Sequence, residues 1–187
     1  PRVGLSLLLL NHPQKGRMVG FSDRVDLGDV GVLRTDPSIA LRFEVQDLPE
    51  PPPSRLTLRL RGTAFDRYDG RRWERTQRER ERGHGSEGGE SLDIVRKSLP
   101  SDRRITIDLE PIDPPVVFLP PRTVSLHVRV QQQVVLGEQL LLTRGPEGEV
   151  RYQGSDSHGL RYDTYVAGDR EPIVELIGPQ DRARYLD

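Results

Sequence analysis

The 187-residue sequence contains no cysteine. That absence excludes a thiol nucleophile, a disulfide framework and any cysteine-based zinc site from this chain. Aromatic residues are scarce, at 5%, with one Trp in all. Lysine is nearly missing, since of 28 basic residues only Lys15 and Lys97 are Lys. A GC-rich genome accounts for that skew, because Arg codons are GC-rich and Lys codons are not. An excess of one charge is also lacking. With 28 basic and 29 acidic residues the formal net charge is −1, so no global field draws in nucleic acid or an anionic membrane. The longest apolar run, Leu5 to Leu10 with one Ser included, is far shorter than the roughly 20 residues of a spanning helix. It also lacks the charged flank and small-residue cleavage site of a signal peptide. The chain starts at Pro1 without an initiator Met, which reads as a processed product or an excised piece, soluble in itself.

Glycine and proline are plentiful, at 18 and 16 residues. Such punctuation disfavours a helical bundle and suits short strands joined by turns. The dominant pattern is an alternation of period 2. Ile39, Leu41, Phe43 and Val45 alternate with polar neighbours, as in a half-buried strand. Leu56, Leu58 and Leu60 repeat the pattern, as do Ile105, Ile107 and Leu109, and then Val124, Leu126, Val128 and Val130. Further strands are expected at 116–119, 139–143, 149–153 and 160–167. No stretch of a dozen residues carries a helical stripe, and only 172–186 has room for a turn or two of helix. The predicted fold is all-β, an antiparallel β-sandwich or open barrel with little helix.

The breaks between strands are specific. Leu48-Pro49-Glu50-Pro51-Pro52-Pro53 cannot pair inside a sheet and reads as a rigid extended link. Asp69-Gly70 separates Phe65–Tyr68 from Arg71–Trp73 and predicts a tight hairpin with both turn residues at positive φ. Gly145-Pro146-Glu147-Gly148 predicts a second hairpin. Glu74 to Ser91 holds five Glu and four Arg without one apolar residue. Nothing there offsets the entropy of ordering, so 74–91 is expected as a mobile charged loop inserted between strands.

Residues that carry chemistry do not converge. Ser155, Asp156 and His158 are neighbours on one segment, whereas a catalytic triad needs side chains from separate elements. The four His residues form no metal-ligand spacing, and Asp156, His158 and Asp163 make at most a weak oxygen/nitrogen set. His127 falls on the polar phase of its strand, which suits a solvated or cross-strand role. Asp66 and Asp69 flank Tyr68, but a turn Asp ordinarily caps backbone amides, and Asp66 is expected to pair with a nearby Arg. No cofactor is implied. One local asymmetry stands out, because residues 55–82 hold ten Arg against five acids, a net of +5. Arg67, Tyr68, Asp69, Arg71, Arg72 and Trp73 are therefore the candidate contact residues for a ligand or a neighbouring domain, Arg being suited to anions and aromatic faces. Trp73 itself reads as a core or hairpin anchor.

Two segments carry a family resemblance. Residues 19–31, Val-Gly-Phe-Ser-Asp-Arg-Val-Asp-Leu-Gly-Asp-Val-Gly, resemble the opening of the extracytoplasmic segment of bacterial transglutaminase-like membrane proteins of the TgpA type. Residues 61–73, Arg-Gly-Thr-Ala-Phe-Asp-Arg-Tyr-Asp-Gly-Arg-Arg-Trp, resemble that family's Arg-Gly…Phe/Tyr-Asp-Gly-x-x-Trp hallmark. The layout after them agrees, through Asp108-Leu109-Glu110-Pro111 and a closing Tyr-rich strand.

The resemblance implies a division of the chain. Residues 1–18 would be a juxtamembrane linker, 19–175 a single β-rich extracytoplasmic domain with its 74–91 insertion, and 176–187 a linker toward a transglutaminase-like core outside this chain. The family's nucleophile is a Cys of a Cys-His-Asp triad, so no catalytic residue carries over and this chain is not itself an enzyme. Its implied role is to position or regulate that downstream core relative to the membrane, in the periplasm or at the cell exterior. The core would be its main partner and nucleic acid none, with membrane contact only through flanking helices. The alternative role is a cell-wall glycan or peptide binding module built on the Arg/Tyr/Trp hairpin.

Overall fold

Alternation becomes a strand wherever a neighbouring backbone is available to pair with it. In the computed structural model, residues 18–19, 24–26, 39–76, 80–86, 89–129, 140–145, 147–153, 159–169 and 172 are described. Their strands run, in chain order, β1 (Met18–Val19), β2 (Arg24–Asp26), β3 (Leu41–Val45), β4 (Arg67–Tyr68), β5 (Arg72–Glu74), β6 (Glu81–Arg82), β7 (His84–Ser86) and β8 (Gly89–Asp93). There follow β9 (Arg103–Leu109), β10 (Ile112–Asp113), β11 (Val116–Val117), β12 (Thr123–Arg129), β13 (Leu141–Arg144), β14 (Val150–Gln153) and β15 (Leu160–Val166). No helix occurs among the described residues, and none there is long and apolar enough to cross a membrane.

The main sheet has six antiparallel strands in the order β3-β9-β15-β12-β8-β7. Its inward positions are those the alternation predicts, with Ile105, Ile107 and Leu109 on β9, and Leu126 and Val128 on β12, all buried. A second antiparallel sheet, ordered β11-β14-β13-β6, adds Val117, Leu142, Val150 and Tyr152 to the same core. Tyr162 sits at its centre and donates its hydroxyl to the Phe118 carbonyl at 2.7 Å. Burial pushes that phenol's pKa far upward, so it remains a neutral donor.

The two sheets also share an edge. β6 ends one sheet and β7 ends the other, and only Gly83 lies between them. The Gly83 amide donates to Leu142 of the second sheet at 2.9 Å, while His84 already pairs with Ser91 of the first. A Cβ on Gly83 would lie 2.7 Å from the Ser91 carbonyl oxygen, so only glycine allows the strand to turn this corner. A shared core and a continuous edge are features that sandwiches and open barrels have in common.

Two expectations are corrected. Glu74–Ser91 is not a loop throughout: β6, β7 and the start of β8 lie within it, and Glu90 is buried. Ladder hydrogen bonds and ion pairs order this stretch without apolar residues of its own. Leu56–Leu60 is not a strand. Leu58 and Leu60 pack against the core from a segment whose pairing, among the described residues, is the single Arg61–Leu119 bridge at its end. β3 forms as expected but pairs with β9 only among the described residues, leaving Phe43 38% exposed on the inward phase. The helical turn considered for 172–186 and the ends of the chain lie outside the described residues, apart from Pro172.

The polar phase of the main sheet is ordered too. Register aligns Glu44, Thr106, Asp163, His127, Ser91 and His84 in one row across all six strands.

Candidate interaction surface

The hairpin forms where Asp69-Gly70 predicts it. Arg67 pairs with Glu74 and Tyr68 with Trp73, and the Asp69 amide donates to the Arg72 carbonyl at 3.1 Å. Only Gly70 takes a positive φ, of 95°. Asp69 acts through its side chain instead. Its Oδ1 accepts from the amides of Arg71 at 2.9 Å and Arg72 at 2.7 Å, and these two bonds hold its carboxyl below the usual range. Asp69 is thus a turn cap, with its lone pairs committed to backbone.

Facing positions on antiparallel strands bring side chains into contact. The Tyr68 and Trp73 rings stack with centroids 4.8 Å apart and an interplanar angle of 25°. Tyr68 also donates to the Gly70 carbonyl at 2.8 Å, which ties the ring to the turn. Trp73 remains 39% exposed, so it anchors the hairpin and not the core. Arg67 lies 3.5 Å from Glu74, and Arg71 is exposed at the tip. All six candidate residues therefore gather on one arm. β2 completes it, with Val25 opposite Trp73, so residues 24–26 of the first sequence motif lie beside the end of the second as neighbouring strands.

Polar contacts fix the base of the arm to the second sheet. Asp66 accepts from both the amide and the hydroxyl of Thr76, each at 2.7 Å. Beneath it lies Glu149, with no exposed surface. Arg75 from the arm pairs with it, Arg151 Nε reaches it at 2.5 Å, and Arg80 Nη1 lies 3.5 Å away. Oε2 accepts from the Ala64 amide at 3.4 Å. Val150 and Tyr152 point into the core, so Arg151 points to the opposite face of β14, where the arm meets the sheet. Arg80 also donates to Thr143 Oγ1 at 3.0 Å and to the Glu149 carbonyl at 3.1 Å. Burial pulls its guanidinium below the ordinary value, and the Glu149 charge opposes that.

Sequence reasoning did not single out this cluster. Arg75 and Arg80 read as part of a solvated charged loop, and Glu149 as the start of an ordinary strand. The available signal was modest: Glu149 and Arg151 alternate with Val150 and Tyr152. Nor did it single out Glu147, in the second hairpin. That hairpin forms as expected, with the Gly145 amide donating to Glu149 at 2.8 Å. Both Glu147 carboxylate oxygens are buried without a hydrogen-bond partner. Burial first, then the charges of Asp66 and Glu149, push its pKa up.

The remaining candidates stay apart. Residues 154–158, with Ser155, Asp156 and His158, lie outside the described residues. His127 has the cross-strand role, its Nδ1 2.7 Å from Ser91 Oγ. Asp163 is next to it in the row but engages Thr106 at 2.6 Å and Arg129 at 3.1 Å, so no Ser-His-Asp relay forms. No group of three or more His, Asp or Glu side chains able to hold a metal ion occurs among the described residues.

Known proteins resemble this chain in sequence and fold. The family model described as the TgpA N-terminal domain matches residues 1–171. The crystal structure of the periplasmic domain of TgpA from Pseudomonas aeruginosa is 18% identical, covering 79% of this chain and 43% of that chain, with a TM-score of 0.47. The same domain bound to ethylmercury is 17% identical, covering 90% of this chain and 50% of that chain, with a TM-score of 0.51. At such identities the likeness is one of fold. The chain spans about half the length of the solved domain. No curated protein matches it.

Proposed function

Because the chain belongs to the TgpA N-terminal domain family, we propose that it is the extracytoplasmic, non-catalytic part of a transglutaminase-like membrane protein. Its task is to hold a downstream Cys-His-Asp core at a set distance and orientation from the membrane. The observation that carries this reading is the anchored arm. Tyr68 and Trp73 stack, partly exposed, among Arg67, Arg71 and Arg72, while the buried Glu149 cluster fixes the base of the arm. Aromatic and Arg side chains on a rigid support are what a docking surface needs, since little order remains to be imposed on binding. The occupant proposed is the following domain of the same polypeptide, and the solved periplasmic domain is about twice as long as this chain. A chain with no cysteine would leave the thiol chemistry to that domain.

The test uses the chain joined to its natural continuation. Rotational correlation times of the two parts are expected to match. The double substitution Tyr68→Ala and Trp73→Ala should make them diverge while each part keeps its own melting transition. Independent tumbling of the unsubstituted parts sinks the proposal.

One observation favours a second reading, in which the arm binds cell-wall glycan or peptide. The Trp73 ring is stacked on one side by Tyr68 and still 39% exposed, as in a sugar-stacking platform. Trp fluorescence that ignores added wall fragments removes this reading and leaves the first intact.

A further inference from the structure

The outer face of the six-stranded sheet, away from the arm, contains a groove of about 370 Å3, within the size range of small-molecule sites. Four adjacent strands line it, with Glu44 on β3, Arg104 and Thr106 on β9, Arg161 and Asp163 on β15, and Arg129 on β12. Three guanidinium groups thus face two carboxylates. Alternation alone would make these side chains an ordinary solvated face.

Two observations set the groove apart from such a face. Asp163 is only 5% exposed. Its Oδ1 accepts from Thr106 at 2.6 Å, while Oδ2 is buried with no aligned hydrogen bond and has Arg129 Nη2 3.1 Å away. The Thr106 and Arg129 contacts fix this carboxylate in the wall and leave one oxygen short of a donor. Arg104 is the second. Its side chain is half-buried, yet it makes no hydrogen bond or ion pair among the described residues. Arg161, by contrast, lies 3.6 Å from Asp108. A half-buried Arg side chain without a hydrogen-bonding partner among the described residues is costly to maintain for the fold alone, and its planar fork matches a carboxylate in bidentate geometry.

We propose that this groove binds a small amino-carboxylate, an amino acid or a dipeptide, with Arg104 taking the carboxylate. The ammonium group goes to the acidic side, at the exposed Glu44, with the buried Asp163 carboxylate adding its charge from within the wall. Carrying both charges on one ligand satisfies both signs in the groove, which a simple anion cannot do. The site is independent of the arm and of its proposed docking role.

The experiment titrates the full chain with diglycine and follows backbone amide NMR shifts. Diglycine amide, N-acetyl-diglycine and inorganic phosphate are the controls. Shifts centred on Arg104, Thr106 and Asp163 are expected with diglycine. Removing either ligand charge should weaken binding about tenfold or more, the loss of one charge-assisted contact. Arg104→Gln should abolish the shifts without moving the melting temperature, because that side chain has no hydrogen bond or ion pair to lose among the described residues. Glu44→Gln should bring diglycine down to the affinity of its N-acetyl form. Phosphate or diglycine amide binding as tightly as diglycine overturns the proposal. So does the absence of any groove shift at about 10 mM diglycine, beyond even weak millimolar affinity.

Discussion

Arg75 and Glu149 form an ion pair across the seam between the hairpin arm and the second sheet, and Glu149 has no exposed surface. Removing a carboxylate from water costs several kcal/mol, recovered only when its oxygens are well met. Here Arg75, Arg80, Arg151 and the Ala64 amide meet them. The pair therefore fixes the orientation of an arm that apolar packing alone holds weakly, since Tyr68 and Trp73 face outward.

Substituting Glu149→Gln leaves three arginines part-buried around a neutral amide. The expected loss is about 3–5 kcal/mol, the cost of breaking a buried pair from one side. Urea denaturation followed by circular dichroism measures it. A loss below about 1 kcal/mol would mean that the cluster is solvated in solution and does not fix the arm, since exposed pairs contribute that little.

Glu147 gives the domain a pH dependence of definite sign. Its folded-state pKa is raised above the ordinary glutamate value of 4.5 by burial and by Asp66 and Glu149. From pH 4.5 up to the raised value the folded protein holds more protons than the unfolded chain, so stability falls as pH rises through that window. Glu147→Gln should remove this slope from a plot of unfolding free energy against pH. Glu147→Met, which also removes the two unmet oxygens, should stabilise the domain at neutral pH by roughly 1 kcal/mol. An unchanged slope in the Gln variant would show that Glu147 does not titrate abnormally.

Asp102 works in the opposite sense. Arg96 grips it through two bonds, at 2.7 and 2.8 Å, and the Leu99 amide adds a third at 2.6 Å. The Arg96 bonds, with the Leu99 amide behind them, hold its pKa below 3.8 against the effect of burial. The stability it contributes is present above pH 3.8 and is lost as pH falls through the lowered value. Asp102→Asn should cost roughly 3 kcal/mol at neutral pH and flatten the acid limb of the stability curve. Hydrogen exchange at Leu99 should rise in parallel; if that amide stays protected, the Asp102 bond is not what closes the loop before β9.

Gly83 tests the shared edge. Gly83→Ala places a methyl group 2.7 Å from the Ser91 carbonyl oxygen and 3.2 Å from Leu142 Cβ. The corner must open, at about 1–3 kcal/mol as for other overpacked sites. The backbone amides of Gly83 and His84 should then exchange faster than in the parent. A variant of parental stability would mean that the strand does not turn there.

How much of this was legible follows from which interactions are local. Ile105, Ile107 and Leu109 announce β9 because burial on one face imposes a period of 2 on adjacent residues. Asp69-Gly70 announces the arm because turn geometry depends on two or three residues alone. The strands within 74–91 are hidden for the converse reason. The strand at the edge of the second sheet is ordered by partners far along the chain, Leu142, Thr143 and Arg144, and its own composition records none of this. Leu56–Leu60 shows the reverse, with the alternation of a strand and, among the described residues, no pairing beyond the bridge next to it at Arg61.

The sequence by itself determined the all-β class, the two hairpin turns, the gathering of aromatic and basic residues at 67–73, and the exclusion of thiol chemistry through the missing cysteine. These are properties of composition and short spacing, where covalent neighbours set the physics. Only the tertiary structure decided that residues 24–26 of the first family motif pair with β5 at the end of the second, that Arg75 turns inward to Glu149, and that Arg104, Arg129 and Arg161 share one groove. Each of those depends on cross-strand register and on burial, which arise when distant segments exclude water together and which no local pattern encodes.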